Sequence, residues 1–369
     1  MKIPFVDLKI QYLSIKQEID NAINKVISDT AFIGGKYVVK FEEDFAKANG
    51  VNHCVSVANG TDAIYIALKA LNIGPGDEVI TVANSWISTS EAITQTGAKV
   101  VFIDIEPEYY TIDVSKIEKK ITSRTKAIIP VHLFGLAAKM DELLEICRKH
   151  DLFLIEDCAQ AHFAKYKGQN VGTFGIAGTF SFFPGKNLGA YGDAGAIITK
   201  DDEFAKKARM FANHGALKKH YHEIEGINSR LDGIQAAILS VKLPYIHYWN
   251  QSRLKNAELY SNILSKFENI NIPHIREDCV HVFHLYVIRC SKRDQLQNYL
   301  EGKGIMVGIH YPTPLPFLPA YKYLNYCLDD FPVSAQYQHE ILSLPMYAEL
   351  TEQHIEYIVE CIKSFRKLH

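Results

Sequence analysis

At 369 residues, 47% hydrophobic and 22% charged, the chain is long enough for two packed domains and has the balance of an ordinary globular protein. Its 40 basic and 42 acidic residues leave a formal net charge of −2, which argues against a chain built as a whole to bind nucleic acid or a membrane surface. Seven scattered cysteines with no CxxC pair predict neither a disulfide framework nor a metal cluster, and fit a reducing compartment. Asp7 and Lys9 fall where a signal peptide would need an apolar run, and no segment reaches transmembrane length free of charge, so a cytoplasmic location is expected.

Residues 9–28 place Ile10, Leu13, Ile19, Ile23 and Val26 near helical spacing and predict an amphipathic helix. The turn Ile33-Gly34-Gly35 leads into a second helix that runs to about residue 48 and stops at Asn49-Gly50. From residue 53 the segments alternate: strand 53–58, helix 63–71, strand 79–83, helix 87–96, strand 100–103, helix 114–121, strand 127–131, helix 139–149, strand 152–156. Such alternation predicts a mostly parallel sheet with helices on both faces, where ligands bind beyond the carboxyl ends of the strands. After a helix at 201–212, the polar stretch around Lys218, Lys219 and His220 reads as an exposed loop. Helices follow at 231–242 and from Pro244 to about residue 267. The remainder predicts strand 281–290, helix 292–303, strand 305–310, a Pro-rich loop and two final helices. This is a smaller α+β domain, completed by the N-terminal helix.

One stretch organises the rest. Residues 177–196, AGTFSFFPGKNLGAYGDAGA, read as a buried strand ending at Pro184-Gly185, with Lys186 next and glycines at 189, 192 and 195. An ammonium among Phe and Gly is poorly solvated, which favours its neutral, nucleophilic form, as wanted by a lysine that bonds covalently to an aldehyde. The glycine spacing fits neither GxxxxGK[ST] nor GxGxxG, so neither a phosphate loop nor a dinucleotide fingerprint is predicted. A surface turn with a solvated lysine remains the plain reading of this stretch alone.

Other strand ends bear on that choice. Asp157 follows the strand FLIE and needs a cationic partner if buried; a pyridinium nitrogen would serve, and so would a role as helix cap. Gly60-Thr61-Asp62 opens a helix, where free N–H groups suit a phosphate, and Ser181 could add a hydroxyl. Trp86, in ANSWIST, could stack on a flat ring or simply fill core. Their order along the chain is the layout that a pyridoxal-phosphate site requires.

With FVDL at 5–8, NGTDA at 59–63, EDCAQAH at 156–162, SFFPGKNLGAYGDAGA at 181–196 and GINSRLDGIQAAIL at 226–239, the chain resembles the DegT/DnrJ-type nucleotide-sugar aminotransferases. These are fold-type I pyridoxal-phosphate enzymes. The resemblance implies a large α/β/α domain over 31–245, a small C-terminal α+β domain over 246–369, and an N-terminal helix within 1–30 packed on the small domain. It implies that Lys186 holds the cofactor and moves the reaction's proton, that Asp157 pairs with the pyridine nitrogen, and that Gln160 lies near the ring's phenolic oxygen. Trp86 would stack on the ring; Gly60, Thr61 and Ser181 would bind the phosphate, with Asn228 supplied by a second subunit of an obligate homodimer.

The nearest resemblance is to enzymes that use glutamate to aminate C-3 of a dTDP-linked 3-keto-6-deoxyhexose. It implies sugar contacts from His310, Tyr311 and, across the dimer, Lys219. Phe183 stands where the family often has Tyr, which removes one hydroxyl from the sugar's surroundings. Amination at C-4 of a 4-keto sugar shares the core motifs. A sugar dehydratase would lack Lys186, and a silent sensor on the same fold could dispense with Lys186 and Asp157, both of which are present.

Overall fold

The computed structural model describes residues 1–368. Two short helices, α1 (Leu8–Ser14) and α2 (Lys16–Ser28), stand where one helix is expected over 9–28. The break falls at Ile15, which leaves helical geometry (φ −127°) and buries its side chain in the main core. Helix α3 (Lys36–Asn49) ends on Gly50 at φ +71°, the left-handed stop that Gly adopts without strain.

Strands and helices then alternate as β1 (His53–Val57), α4 (Gly60–Ala70), β2 (Glu78–Val82), α5 (Ser88–Gln95), β3 (Lys99–Ile103), β4 (Thr125–Ile129), α6 (Met140–His150) and β5 (Phe153–Asp157). The helix expected at 114–121 is instead two single 3₁₀ turns, 114–116 and 118–120. A small hairpin, β6 (Lys165–Tyr166) and β7 (Gln169–Asn170), precedes β8 (Ala177–Ser181) and β9 (Gly195–Thr199). Helices α7 (Asp202–Ala212), α8 (Gly233–Lys242) and α9 (Ile246–Leu264) complete this part.

Seven strands form one sheet in the order β1-β9-β8-β5-β4-β2-β3. The pairs from β8 through to β3 are parallel, and β9 runs antiparallel to both β8 and β1. Alternate side chains feed two cores, one on each face. Val79, Val100, Ala127 and Ile155 pack under α4, α5 and α7; Ile80, Val101, Ile128 and Leu154 pack under α3, α6 and α8. This mixed α/β architecture is the predicted one, with β9 as an unforeseen strand.

The C-terminal part holds β10 (Cys279–Val280), β11 (Tyr286–Arg289), α10 (Arg293–Gly302), α11 (Pro332–Tyr337), β12 (Ile341–Leu344) and α12 (Glu352–Leu368). The expected strand 281–290 is confined to β11, because Val282 and Leu285 turn their N–H groups to Gly135 and Phe134. The segment 305–310 makes only isolated bridges, Ile3 with Ile305 and Gly308 with Ser343. Its place beside β11 is taken by β12, antiparallel to it.

Tyr260, Tyr286, Leu296, Leu342 and Ile358 centre a third core. Helix α9 reaches both regions, placing Ile246 and Trp249 in the sheet-side core and Tyr260 and Leu264 in the third. The N-terminal helix does not pack on the small domain as expected. Its apolar face, through Ile15 and Ile19, meets the sheet-side core, and α2 lies against α8; only Ile3 and Val6 ahead of it join the third core. Among the described residues no helix is long and apolar enough to cross a membrane.

Candidate active site

The carboxyl ends of β5 and β8 set the site. Asp157 closes β5 and is buried, yet its carboxylate is engaged on both oxygens: Thr89 Oγ1 donates to Oδ2 at 2.8 Å and the Ala159 N–H to Oδ1 at 3.1 Å. Burial pushes its pKa up, and these two donors together with the Lys186 charge pull it back.

Glu156, the preceding residue, anchors the strand end. It is fully buried and accepts the N–H groups of Gly172, Phe174 and Gly175 at 2.7, 2.8 and 2.9 Å, with His132 Nε2 at 3.1 Å. Ala138 N–H donates to His132 Nδ1 at 3.0 Å, so the ring proton sits on Nε2 and is given to Glu156. Glu156, His132 and Cys158 bring metal-type donors together, but the carboxylate and the ring are already committed to protein groups that hold β5 in place.

Lys186 is held by the turn after β8. Phe182 is fully buried, edge-on to Phe41 and Phe45 at 5.4 and 5.3 Å between ring centroids, while Phe183 is 56% exposed. The chain then folds back: Lys186 N–H donates to Phe183 O and Ala190 N–H to Phe182 O, both at 2.8 Å. A side chain at Gly189 would collide with the carbonyls of Pro184 and Phe183, so only Gly closes this turn. The Lys186 side chain keeps a limited opening to solvent and is otherwise ringed by protein. That crowding brings its pKa from 10.5 down to about 8, against the opposing pull of Asp157.

The opening of α4 lies against β8. Asn59 caps the helix by accepting the Asp62 N–H at 2.8 Å. A methyl added at Gly60 would stand 2.6 Å from Ser181 Cβ, so these two residues are in direct contact. Thr61 Oγ1 donates to Ser88 Oγ at 2.7 Å, which adds a hydroxyl that sequence reasoning missed.

Residues of the C-terminal part close over this floor. Gln160 Oε1 accepts the Phe134 N–H at 2.7 Å and its Nε2 donates to Tyr311 OH at 2.9 Å. The Tyr311 ring lies 5.8 Å from that of Trp86, which is 59% exposed. His310 bonds Ser343 Oγ at 2.8 Å and stacks on Phe5 at 5.6 Å. Burial, then the nearby Lys186 charge, take its pKa down to about 4.

The structure therefore brings Lys186, Asp157, Gln160, His310, Tyr311 and Trp86 together and sets Gly60, Thr61 and Ser181 at one helix opening. It leaves two predicted residues apart. Asn228 and Lys219 are exposed, and neither side chain has a hydrogen-bond or ion-pair partner among the described residues. Next to Asn228, Ser229 Oγ accepts the Ala58 N–H at 3.0 Å and donates to Asp62 Oδ2 at 2.6 Å, tying that segment beside α4. Thr89, the direct partner of Asp157, was also missed, although it lies in the same ANSWIST stretch as Trp86.

The DegT/DnrJ/EryC1/StrS aminotransferase family matches residues 13–363. The chain belongs to this family. Its relatives include a protein of Geobacillus stearothermophilus named pleiotropic regulatory protein, 46% identical over 367 residues and aligned over 99% of both chains. The UDP-N-acetyl-3-dehydro-α-D-glucosamine 3-aminotransferase of Acidithiobacillus ferrooxidans is 42% identical over 100% of this chain and 98% of its own. The dTDP-3-amino-3,6-dideoxy-α-D-galactopyranose transaminase of Aneurinibacillus thermoaerophilus is 43% identical over 98% of this chain and 99% of its own. Among solved structures, S. venezuelae DesV in complex with a ketimine intermediate superposes with a TM-score of 0.96 at 38% identity, covering 99% of this chain and 98% of that one.

This member of the family is a sugar aminotransferase, and its cofactor is pyridoxal 5'-phosphate. The site fits that group. Among the described residues the buried Asp157 carboxylate has a hydroxyl and an N–H donor but no ion-pair partner, and the Lys186 charge acts on it without a salt bridge. The Gly60–Ser181 contact would be filled by any larger side chain, at a helix opening suited to a phosphate. Lys186 supplies an amine whose pKa is lowered by burial to about 8.

Proposed function

We propose that this enzyme transfers the amino group of L-glutamate to C-3 of a dTDP-linked 3-keto-6-deoxyhexose, yielding a dTDP-3-amino-3,6-dideoxyhexose and 2-oxoglutarate. The observation that carries the reading is the approach of His310 and Tyr311 to the Lys186–Asp157 pair, with the exposed Trp86 ring at the mouth. Relatives named for position 3 of the sugar include three dTDP-linked and two UDP-linked enzymes, which favours C-3 over C-4.

In this reading, Asp157 would hold the pyridine nitrogen protonated, and Gly60, Thr61 and Ser181 would take the phosphate. Trp86 would stack on the ring and Gln160 would lie near the ring oxygen. Bound there, the cofactor supplies an aldehyde for amines and a ring that withdraws electrons from the adjoining carbon. Lys186 would have two tasks there, both suited to an amine with a pKa of about 8: as the neutral amine it would hold the cofactor's aldehyde, and as a base it would move the reaction's proton. His310, held neutral, and Tyr311 face the sugar, and Phe183 offers it an apolar surface.

We also propose a homodimer whose sites are shared. What supports it is that Asn228 and Lys219 are exposed and their side chains have no partner among the described residues, as those of residues serving a neighbour's phosphate and pyrophosphate would. A cytoplasmic location accords with seven free thiols.

The test is to incubate the purified protein with glutamate and dTDP- and UDP-linked 3-keto and 4-keto sugars, and identify the amino sugars by mass spectrometry and NMR. A dTDP-3-amino sugar as main product is expected. Amination only at C-4, or only of UDP-linked sugars, would overturn the assignment. No turnover with any keto sugar would instead favour a regulatory role, as the name of the Geobacillus relative suggests.

A further inference from the structure

A second lysine, this one fully buried, lies beneath the Lys186 turn, and it has no place in the chemistry above. Lys242, at the end of α8, is fully buried, and its Nζ donates to the Gly189 carbonyl at 2.7 Å. Its ammonium stands 4.2 Å from the centre of the Tyr191 ring. Lys242 is also within the attraction of Glu349, whose Oε1 is buried with no hydrogen-bond partner. Burying a lysine completely is costly, and a plain carbonyl acceptor could be served by a cheaper neutral donor.

The other side of the turn is held as firmly. Asn187, directly after Lys186, donates through Nδ2 to Asn250 Oδ1 at 2.8 Å and Val282 O at 2.9 Å. Its Oδ1 faces His284 Nδ1 at 3.2 Å. That Val282–His284 segment is fixed by buried Arg253, which donates to Phe283 O at 3.1 Å and to Met346 O at 2.9 Å. Arg253 feels the same Glu349 as Lys242 does. Two buried cations and one carboxylate thus brace the turn from both sides.

We propose that Lys242 is a positioning residue for Lys186: its grip on the Gly189 carbonyl fixes the 183–190 turn and so the direction of the Lys186 amine. The route is short. Gly189 packs on the carbonyls of Pro184 and Phe183, and Phe183 O accepts the Lys186 N–H, so a shift at Gly189 moves the Lys186 backbone directly. Burial lowers the Lys186 pKa and Asp157 opposes it, and the effect proposed for Lys242 travels through the loop.

This inference rests on Lys186 being the reactive amine, and the test separates the two. Cofactor-free protein is labelled with trace acetic anhydride across neutral and alkaline pH, and each lysine is followed by peptide mass spectrometry. In the wild type, Lys186 should react faster at neutral pH than the exposed Lys9 and Lys322. Lys242→Met should slow Lys186 about tenfold while circular dichroism and the labelling of Lys9 and Lys322 stay unchanged. Lys242→Arg should restore most of the rate. If the Met variant does not fold, Lys242→Gln is measured with the same expectation. An unchanged Lys186 rate in a folded Met or Gln variant would overturn the proposal. A slow Lys186 in the wild type would overturn the role of Lys186 itself.

Discussion

Gln160 joins Tyr311 to the floor of the site: its Nε2 donates to the Tyr311 hydroxyl at 2.9 Å while its Oε1 takes the Phe134 N–H at 2.7 Å. The bond ties the end of β5 to the C-terminal part, so the sugar's proposed contact is set by the cofactor's proposed neighbour. Tyr311→Phe removes the acceptor and leaves a buried amide N–H unpaired, at a cost of about 1–3 kcal/mol. The expected outcome is a fall in kcat/KM for the keto sugar of about tenfold or more, with the glutamate half-reaction much less affected. Steady-state and single half-reaction kinetics check it; equal losses in both half-reactions would remove Tyr311 from the sugar side.

Gly60 is the tightest contact in the proposed phosphate cradle. Its φ is ordinary, so space alone requires Gly here: a Cβ would stand 2.6 Å from Ser181 Cβ and 3.1 Å from Ser181 Cα. Gly60→Ala must push the α4 opening away from β8. Retention of pyridoxal phosphate should weaken by about tenfold or more, with a loss of stability of roughly 1–3 kcal/mol from overpacking. Equilibrium dialysis and thermal melts of the cofactor-free protein measure the two separately.

Asp157 accepts from Thr89 on one oxygen and from Ala159 N–H on the other, so Asp157→Asn sets an amide NH₂ against one of two donors and removes the negative charge. Transamination should drop by at least about a hundredfold, beyond any loss of fold seen by circular dichroism. Thr89→Val, which removes one of the donors, should show a smaller loss in the same direction.

Lys186 should leave a signature in stability against pH. Its folded pKa of about 8 lies below its usual 10.5, so between these values the unfolded chain binds more protons than the folded one. Stability from this group therefore rises with pH across that window, and the penalty of burying its charge is fully present below it. Cofactor-free Lys186→Met should be more stable than the wild type near neutrality by on the order of 1–3 kcal/mol, since the side chain keeps some solvent. The advantage should shrink as pH rises through 8 towards 10.5, as urea unfolding at several pH values would show.

The strands from β1 to β5 were legible because each is a short apolar run cut off by turn residues, and the motif order placed their useful ends. What sequence could not supply was tertiary partnership. The amphipathic stretch 9–28 shows a face but not its partner, and the face went to α8. Residues 305–310 read as a strand but lack a continuous neighbour, whereas β12 hides in ILSL, too short to register. The glycines at 189, 192 and 195 signalled a loop and masked β9, which starts on Gly195. Lys186 and Asp157 announced themselves by sequence context. Thr89, Ser88 and Lys242 did not, because a hydroxyl or a lysine on a helix means nothing until another element comes within hydrogen-bonding distance.

Two lysines with pKa values near 8 meet at one turn, Lys186 within it and partly open to solvent and Lys242 fully buried beneath it, and only Lys186 is assigned the covalent bond to pyridoxal phosphate. Borohydride reduction of the purified holoenzyme, followed by peptide mass spectrometry, decides between them. A pyridoxyl group on Lys186, with the visible absorbance lost in step, is the predicted result. A pyridoxyl group on Lys242, or no reducible adduct at all, would contradict the account.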